Sequence, residues 1–437
     1  MSVPLDRLYH YIQDVAEQVH GDRILIYRFS PHGSKNIEDL TPMQEQYDLL
    51  NVFWPQIYCY DQEPLDYDRY QAGTHTELAR DFQNRYQEEL TVFPGYNLRV
   101  RVFNIYDKCL LLHSEQQSPD VAKYQASQFI PVYYWAHAVI ALDWFRYAQH
   151  VNVVPAADPK LFLVYNRAWA GTREYRVKFV ELLQKNNLLD HCVTAFNSVD
   201  PDSGTHYRDH VFKNTAFEPD EIDPGLPSTQ VAATASADFD LQDYADTQFE
   251  VVLETLFDDV RIQLTEKILR PIACGHPFIL ASTPGSLQYL RNYGFQTFDG
   301  VIDESYDLET DSSTRLELII AAMKQIAEWS PEQQKINREK IKEIVQHNKR
   351  HFFSTVFFQS IVGELQHNLR SALTELEETN TGTRLIAARI AYYRKLKQLN
   401  CQTATDEFER NRQHIARTQR LLTLARQYRL SYKTAKE

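Results

Sequence analysis

The chain has 437 residues, 43% of them hydrophobic, and 46 Lys+Arg against 59 Asp+Glu for a formal net charge of −13. At roughly 100 to 200 residues per domain this suits two domains and an appendage, and the apolar content excludes a chain disordered throughout. Only 13 Gly and 18 Pro exclude collagen-like and linker-like chains, while the acidic balance excludes a protein that coats nucleic acid along its length with a basic surface.

The N-terminal stretch MSVPLDRLYHYIQDVAEQVH is charged and helically periodic, without the apolar centre of a signal peptide. Strand-like runs follow at RILIYRF, PQIYCY, LRVRVFN and CLLLH, with helical patterns in HTELARDFQNRYQEEL and VYYWAHAVIALDWFRYA. Residues 151–160 carry two prolines and no periodicity, and are read as a linker closing an N-terminal domain of residues 1–150.

A second domain spans residues 161–375. It opens with the strand LFLVYN, the helix TREYRVKFVELLQKNNLL and the strand CVTAFN, then enters a polar stretch from Ser198 to Asp246. Regular patterns resume with FEVVLET, the helix TEKILRPIACG, the strand PFILA, the turn STPG, the helix SLQYLRNY and the strand-like FQTF. A long helix from Ser313 to Trp329 leads into a helical region ending near Ala372. Short strands alternating with helices predict α/β layering over mainly parallel sheets.

Residues 381–437 hold 13 Lys+Arg and 4 Asp+Glu, a net of +9, so the body before them carries −22. Two amphipathic patterns there predict a basic helical tail, which packs on the second domain, joins copies of the chain, or touches phosphates. Five cysteines, never in CxxC spacing, predict neither a zinc cluster nor a disulfide framework. With no run of 18 apolar residues, a soluble cytoplasmic protein without a membrane span is expected.

Chemistry concentrates in FEVVLETLFDDVRIQLTEKILRPIACGHPFILASTPG. Thr265 reads as an N-cap, and Thr265, Glu266 and Lys267 open a helix whose unpaired N–H groups and dipole favour an anion. Glu254 falls at the end of the preceding strand, the edge of an open α/β sheet where ligands bind. The plainer alternative is first-turn acidity at Glu266 and a solvated Lys267. Asn166, Arg167, Arg173 and Arg176 gather at an earlier strand-to-helix junction. With glycine scarce, guanidinium forks are the expected phosphate ligands, Arg167 and Arg173 ahead of Arg176; a solvated helix face is the alternative.

This window, from Glu254 through Thr265-Glu266-Lys267 to Gly275 and Pro277, resembles the donor half of GT-B glycosyltransferases. It is most similar to the α1,3-fucosyltransferase-like family with its phage and bacterial relatives. The resemblance covers about 60 residues well and the remainder as architecture. It implies two Rossmann-like domains with a C-terminal helical extension. It also implies a nucleotide-diphosphate sugar as co-substrate and no further cofactor. Glu254 and Glu266 would hold sugar and ribose hydroxyls, and Lys267 and an arginine would meet the diphosphate.

The resemblance further implies an inverting transfer, which needs a general base. Two acidic clusters follow strands in the N-terminal domain, at Asp61 and Glu63 and at His113 and Glu115. Glu115 resembles the base of the family's Glu-Ser-Pro turn, although two glutamines here separate it from Ser118-Pro119; Glu63 is the second choice, and a turn or cap role is open for both. The acceptor would be a glycan or a hydroxylated DNA base, the latter served by the basic tail. If the chain is phage-encoded, the host cytoplasm is its compartment. The acidic pairs Asp258-Asp259 and Asp200-x-Asp202 are read as loop features rather than a metal site. A non-catalytic sugar-nucleotide-binding or assembly protein on the same fold is the competing reading.

Overall fold

A computed structural model describes residues 25–29, 38–39, 56–60, 109–128, 131–223, 225–228 and 239–379, with a few isolated positions before residue 66. The expected strand LRVRVFN, the helix from His75, the carboxylate Glu63 and the basic tail lie outside these residues. The chain divides into two compact units. One comprises Tyr9–His113, Asp120–Tyr134 and Leu365–Glu437; the other comprises Met1–Leu8, Ser114–Pro119 and Trp135–Glu364.

The first unit carries the strands β1 (Leu25–Phe29), β2 (Glu38–Asp39), β3 (Gln56–Tyr60), β4 (Cys109–His113) and β5 (Val132–Tyr134), with helix α1 (Pro119–Gln128) between the last two. Their order is β2-β1-β3-β4-β5, parallel throughout except for β2, which runs antiparallel to β1. Leu110, Leu111 and Leu112 are buried in succession, as expected where both faces of a parallel strand are covered.

In the second unit the sheet is β7-β6-β8-β9, formed by β6 (Lys160–Val164), β7 (Cys192–Thr194), β8 (Thr247–Leu253) and β9 (Phe278–Ala281), all parallel. The helices are α2 (Ala138–Trp144), α3 (Tyr175–Lys185), α4 (Leu241–Ala245), α5 (Glu266–Cys274), α6 (Ser286–Asn292), α7 (Ser312–Ala327) and α8 (Pro331–Phe352); α9 (Thr355–Thr379) follows. Val251, Val252 and Leu253 of β8 are buried, each contributing about 1.5–3 kcal/mol of transfer free energy. The fold is thus mixed α/β with parallel sheets. Among the described residues no helix is long and apolar enough to cross a membrane.

Two elements differ from expectation. VYY begins no helix: it forms β5, its β-favouring side chains pairing with Leu111, Leu112 and His113 of β4, and α2 starts only at Ala138. FQTF forms no strand. The Asn348 side chain occupies the backbone N–H and C=O of Gln296, both at 2.8 Å, where a strand partner would otherwise bond. Helix α5 ends where the sequence places Gly275, which adopts φ 70° and ψ 41° and lets the His276 N–H reach the Pro271 carbonyl. A side chain there would meet that left-handed penalty and the Lys349 Cδ at 3.2 Å.

Candidate functional site

In the second unit the chain passes from β6 to β7 on one side, then crosses to β8 on the other. Strand order therefore reverses between β6 and β8, and in open parallel sheets ligands bind beyond the carboxyl ends of the strands at such a reversal. Two loops leave these carboxyl ends. One follows β6 with Asn166, Arg167 and Arg173; the other follows β8 with Glu254 and leads to Thr265, Glu266 and Lys267.

Arg176 ties the two loops together. Its buried guanidinium donates from Nη1 to the Ala168 carbonyl at 2.7 Å, and from Nη2 to the carbonyls of Leu253 at 2.5 Å and Glu254 at 3.1 Å. The backbone carbonyls supply no counter-charge, and burial lowers its pKa from the ordinary arginine value. The least favoured of the three arginines thus joins the loop after β6 to the end of β8.

Glu254 is fully buried. Its Oε1 accepts from the backbone N–H groups of Thr265 at 3.1 Å and Ile268 at 3.3 Å; its Oε2 accepts from Thr265 Oγ1 at 2.7 Å and the Thr255 N–H at 3.4 Å. The anion drawn to this helix N-terminus is therefore the chain's own carboxylate, and four donors fill its acceptor capacity. Thr265 is the N-cap, its hydroxyl accepting from the Lys267 N–H at 3.4 Å.

Lys267 is the more accessible member, its side chain 18% exposed. Its Nζ lies 3.1 Å from Thr265 Oγ1, 3.2 Å from Thr255 Oγ1, 3.2 Å from Glu266 Oε1 and 4.0 Å from Glu254 Oε2. The other oxygen of Glu266 faces His137 Nε2 at 3.3 Å. His137 is buried, with its ring stacked on Trp135 at 5.8 Å between centroids. His137 sits in an aromatic run whose pattern is that of core, and no local sequence signal marks it as a partner of Glu266.

Glu115 belongs to the short segment grouped with this unit. Gln116 and Ile262 exchange backbone hydrogen bonds of 2.8 and 3.0 Å, and Gln263 donates to Ser114 Oγ at 3.3 Å. The Glu115 carboxylate is buried 3.7 Å from Arg261, whose guanidinium also grips Asp259. Gln117 takes φ 58°, a left-handed conformation that costs a non-glycine residue about 1 kcal/mol or more.

At the β6 loop, Asn166 is 1% exposed, and neither its amide nitrogen nor its amide oxygen has a hydrogen-bond partner among the described residues. Arg167 and Arg173 each place Nη2 3.0 Å from Asp202, on Oδ1 and Oδ2 respectively. Asp200 is buried and builds the loop, accepting from the N–H groups of Trp169, Ala170, Asp202 and Ser203 at 2.6 to 3.0 Å. It is a turn organiser. Among the described residues no group of three or more His, Cys, Asp or Glu side chains could hold a metal ion.

Burial would raise the Asp200 pKa, but the N–H groups of Ala170, Trp169 and Ser203 and the charge of Arg173 pull it below the ordinary carboxylate value of 3.8. A depressed folded pKa adds stability above that value, and the gain disappears as pH falls through the folded pKa. Asp200→Asn is therefore expected to cost about 2–4 kcal/mol at neutral pH, with the gap to wild type narrowing in acid. Urea denaturation across pH checks this; a gap that stays constant or widens in acid contradicts it.

No protein-family model, curated protein or solved structure matches the chain.

Proposed function

We propose that the chain is a glycosyltransferase that moves a sugar from a nucleotide-diphosphate sugar to a hydroxyl on a glycan or a hydroxylated DNA base. In this reading it is inverting, metal-independent and built on two Rossmann-like GT-B domains. The observation that carries the proposal is the pair of cationic loops at the reversal point of the β6/β8 sheet, Arg167 and Arg173 on one and Lys267 on the other, bound together by Arg176. Such cations neutralise the charge that develops on a departing nucleoside diphosphate. Asn166, buried with its amide unsatisfied, is a group that a ligand hydroxyl would complete.

In the proposed step the acceptor oxygen forms a bond to the sugar's anomeric carbon as the bond from that carbon to the diphosphate breaks. The base takes the acceptor's proton and the electron pair leaves with the nucleoside diphosphate. Glu266 and Lys267 act on the donor, and Glu254 acts through them by fixing the start of α5. Glu115 is the candidate base. Its burial against Arg261 favours a second reading, a sugar-nucleotide-binding protein without turnover.

Variants separate the two. For an enzyme, Lys267→Ala lowers turnover about 100-fold or more, and Glu115→Ala spares donor binding while lowering turnover about 100-fold or more. Both are checked by nucleoside diphosphate release beside a thermal shift. A thermal shift with no release in wild type supports the binding protein, and full turnover in both variants contradicts the site.

A further inference from the structure

Asp202 stands apart from its neighbour Asp200. Asp200 is buried and shapes the loop, whereas the Asp202 side chain is 39% exposed and, among the described residues, its carboxylate bonds only to Arg167 and Arg173. The two guanidinium groups approach different oxygens of that carboxylate, both at 3.0 Å. A terminal phosphate offers two oxygens at similar spacing, so the fork that grips Asp202 also suits a phosphate.

Two guanidinium groups this close repel one another when no anion lies between them. The loop after β7 supplies that anion, and the Asp200 carboxylate holds it in place by accepting from the Asp202 N–H at 3.0 Å. Arg173 is held from its other side, Nε donating to the Ala170 carbonyl at 3.2 Å, and Asn197 Nδ2 donates to the Arg167 carbonyl at 2.7 Å. The fork is thus assembled before any ligand arrives, with an internal carboxylate closing it.

We propose that Asp202 is a built-in competitor for the Arg167/Arg173 fork, displaced by the diphosphate of an incoming ligand. Its exposure makes the displacement inexpensive, because a carboxylate at this position regains water on leaving. The internal anion keeps the two arginines ordered in the empty protein. It also raises the threshold for weakly held anions, since a single phosphate must displace it with fewer contacts than a diphosphate makes.

The inference rests on the β6 loop being the diphosphate end of the proposed site, but not on sugar transfer. The test is isothermal titration of the full chain with inorganic pyrophosphate. Wild type, Asp202→Asn, Asp202→Glu, Arg167→Ala and Arg173→Ala are compared, with circular dichroism as the folding control. Asp202→Asn is expected to bind about threefold to thirtyfold more tightly than wild type, the size of two exposed ion pairs. Asp202→Glu should return toward wild type, and each arginine variant should bind more weakly. Binding that needs the arginines but is unchanged or weakened in Asp202→Asn overturns the competitor and leaves the diphosphate reading standing. Absence of pyrophosphate binding in every variant overturns both.

Discussion

Replacing Glu254 by alanine is expected to destabilise the protein by about 3–5 kcal/mol, the largest loss from any residue of the candidate site. The carboxylate is fully buried and accepts from three backbone N–H groups and the Thr265 hydroxyl. Alanine strands these donors where water does not replace the lost acceptor, and leaves Lys267 one carboxylate short. At roughly 2–4 °C per kcal/mol for a unit of this size, the melting midpoint should fall by about 6–20 °C. Calorimetry decides between two roles. Loss of ligand binding with an unchanged midpoint would mean that Glu254 serves the ligand rather than the helix.

The second large effect lies one turn further along the same helix. Arg270 bonds Glu250 and, through Nε, the Tyr244 hydroxyl at 3.1 Å, and its guanidinium lies 4.6 Å from the Tyr165 ring centroid. Tyr244 donates to the other oxygen of Glu250 at 2.5 Å. Burial works against the charge on Arg270, but Glu250 more than restores it and the pKa rises above the ordinary arginine value. Arg270→Met removes the counter-ion from a carboxylate with no exposure and should cost about 3–5 kcal/mol. The double variant Glu250→Leu with Arg270→Met should recover most of that loss. Denaturant titration of the two variants checks the expectation; a double variant as unstable as the single one contradicts it.

These two carboxylates explain why Lys267 is held where it is. Glu250 and Glu254 are four residues apart in and just after β8, and both engage α5, one along its length and one at its start. The strand therefore fixes the helix by charge as well as by apolar packing. A cation placed at the first turn of such a helix is preorganised, which is the condition for stabilising charge that appears only during reaction.

Much of this frame was legible in the sequence. The stretches LFLV, VVL and FILA are apolar in succession, the pattern of strands covered on both faces, and they lie in β6, β8 and β9. Thr265 before Glu266 and Gly275 after Cys274 mark the two ends of α5 by local capping chemistry. What was not legible is non-local. The partnership of Glu115 with Arg261, and of Gln116 with Ile262, joins positions far apart in the chain, and no local signal encodes it. His137 beside Glu266 is the same kind of fact. Residue type also conceals how a charge is used: Glu254 has the chemistry of a ligand-binding carboxylate, yet the chain's own N–H groups occupy it.

Whether the carboxyl edge of the β6/β8 sheet receives a nucleotide-diphosphate sugar, as proposed, is decided by a thermal-shift panel of such donors on wild type and Lys267→Ala. A donor at about 100 times its dissociation constant contributes about 2.7 kcal/mol, or roughly 5–11 °C in midpoint. At least one donor should produce that shift in wild type and lose it in Lys267→Ala, with release of the nucleoside diphosphate when a hydroxyl acceptor is added. No shift with any donor, or an equal shift in the variant, would contradict the proposal.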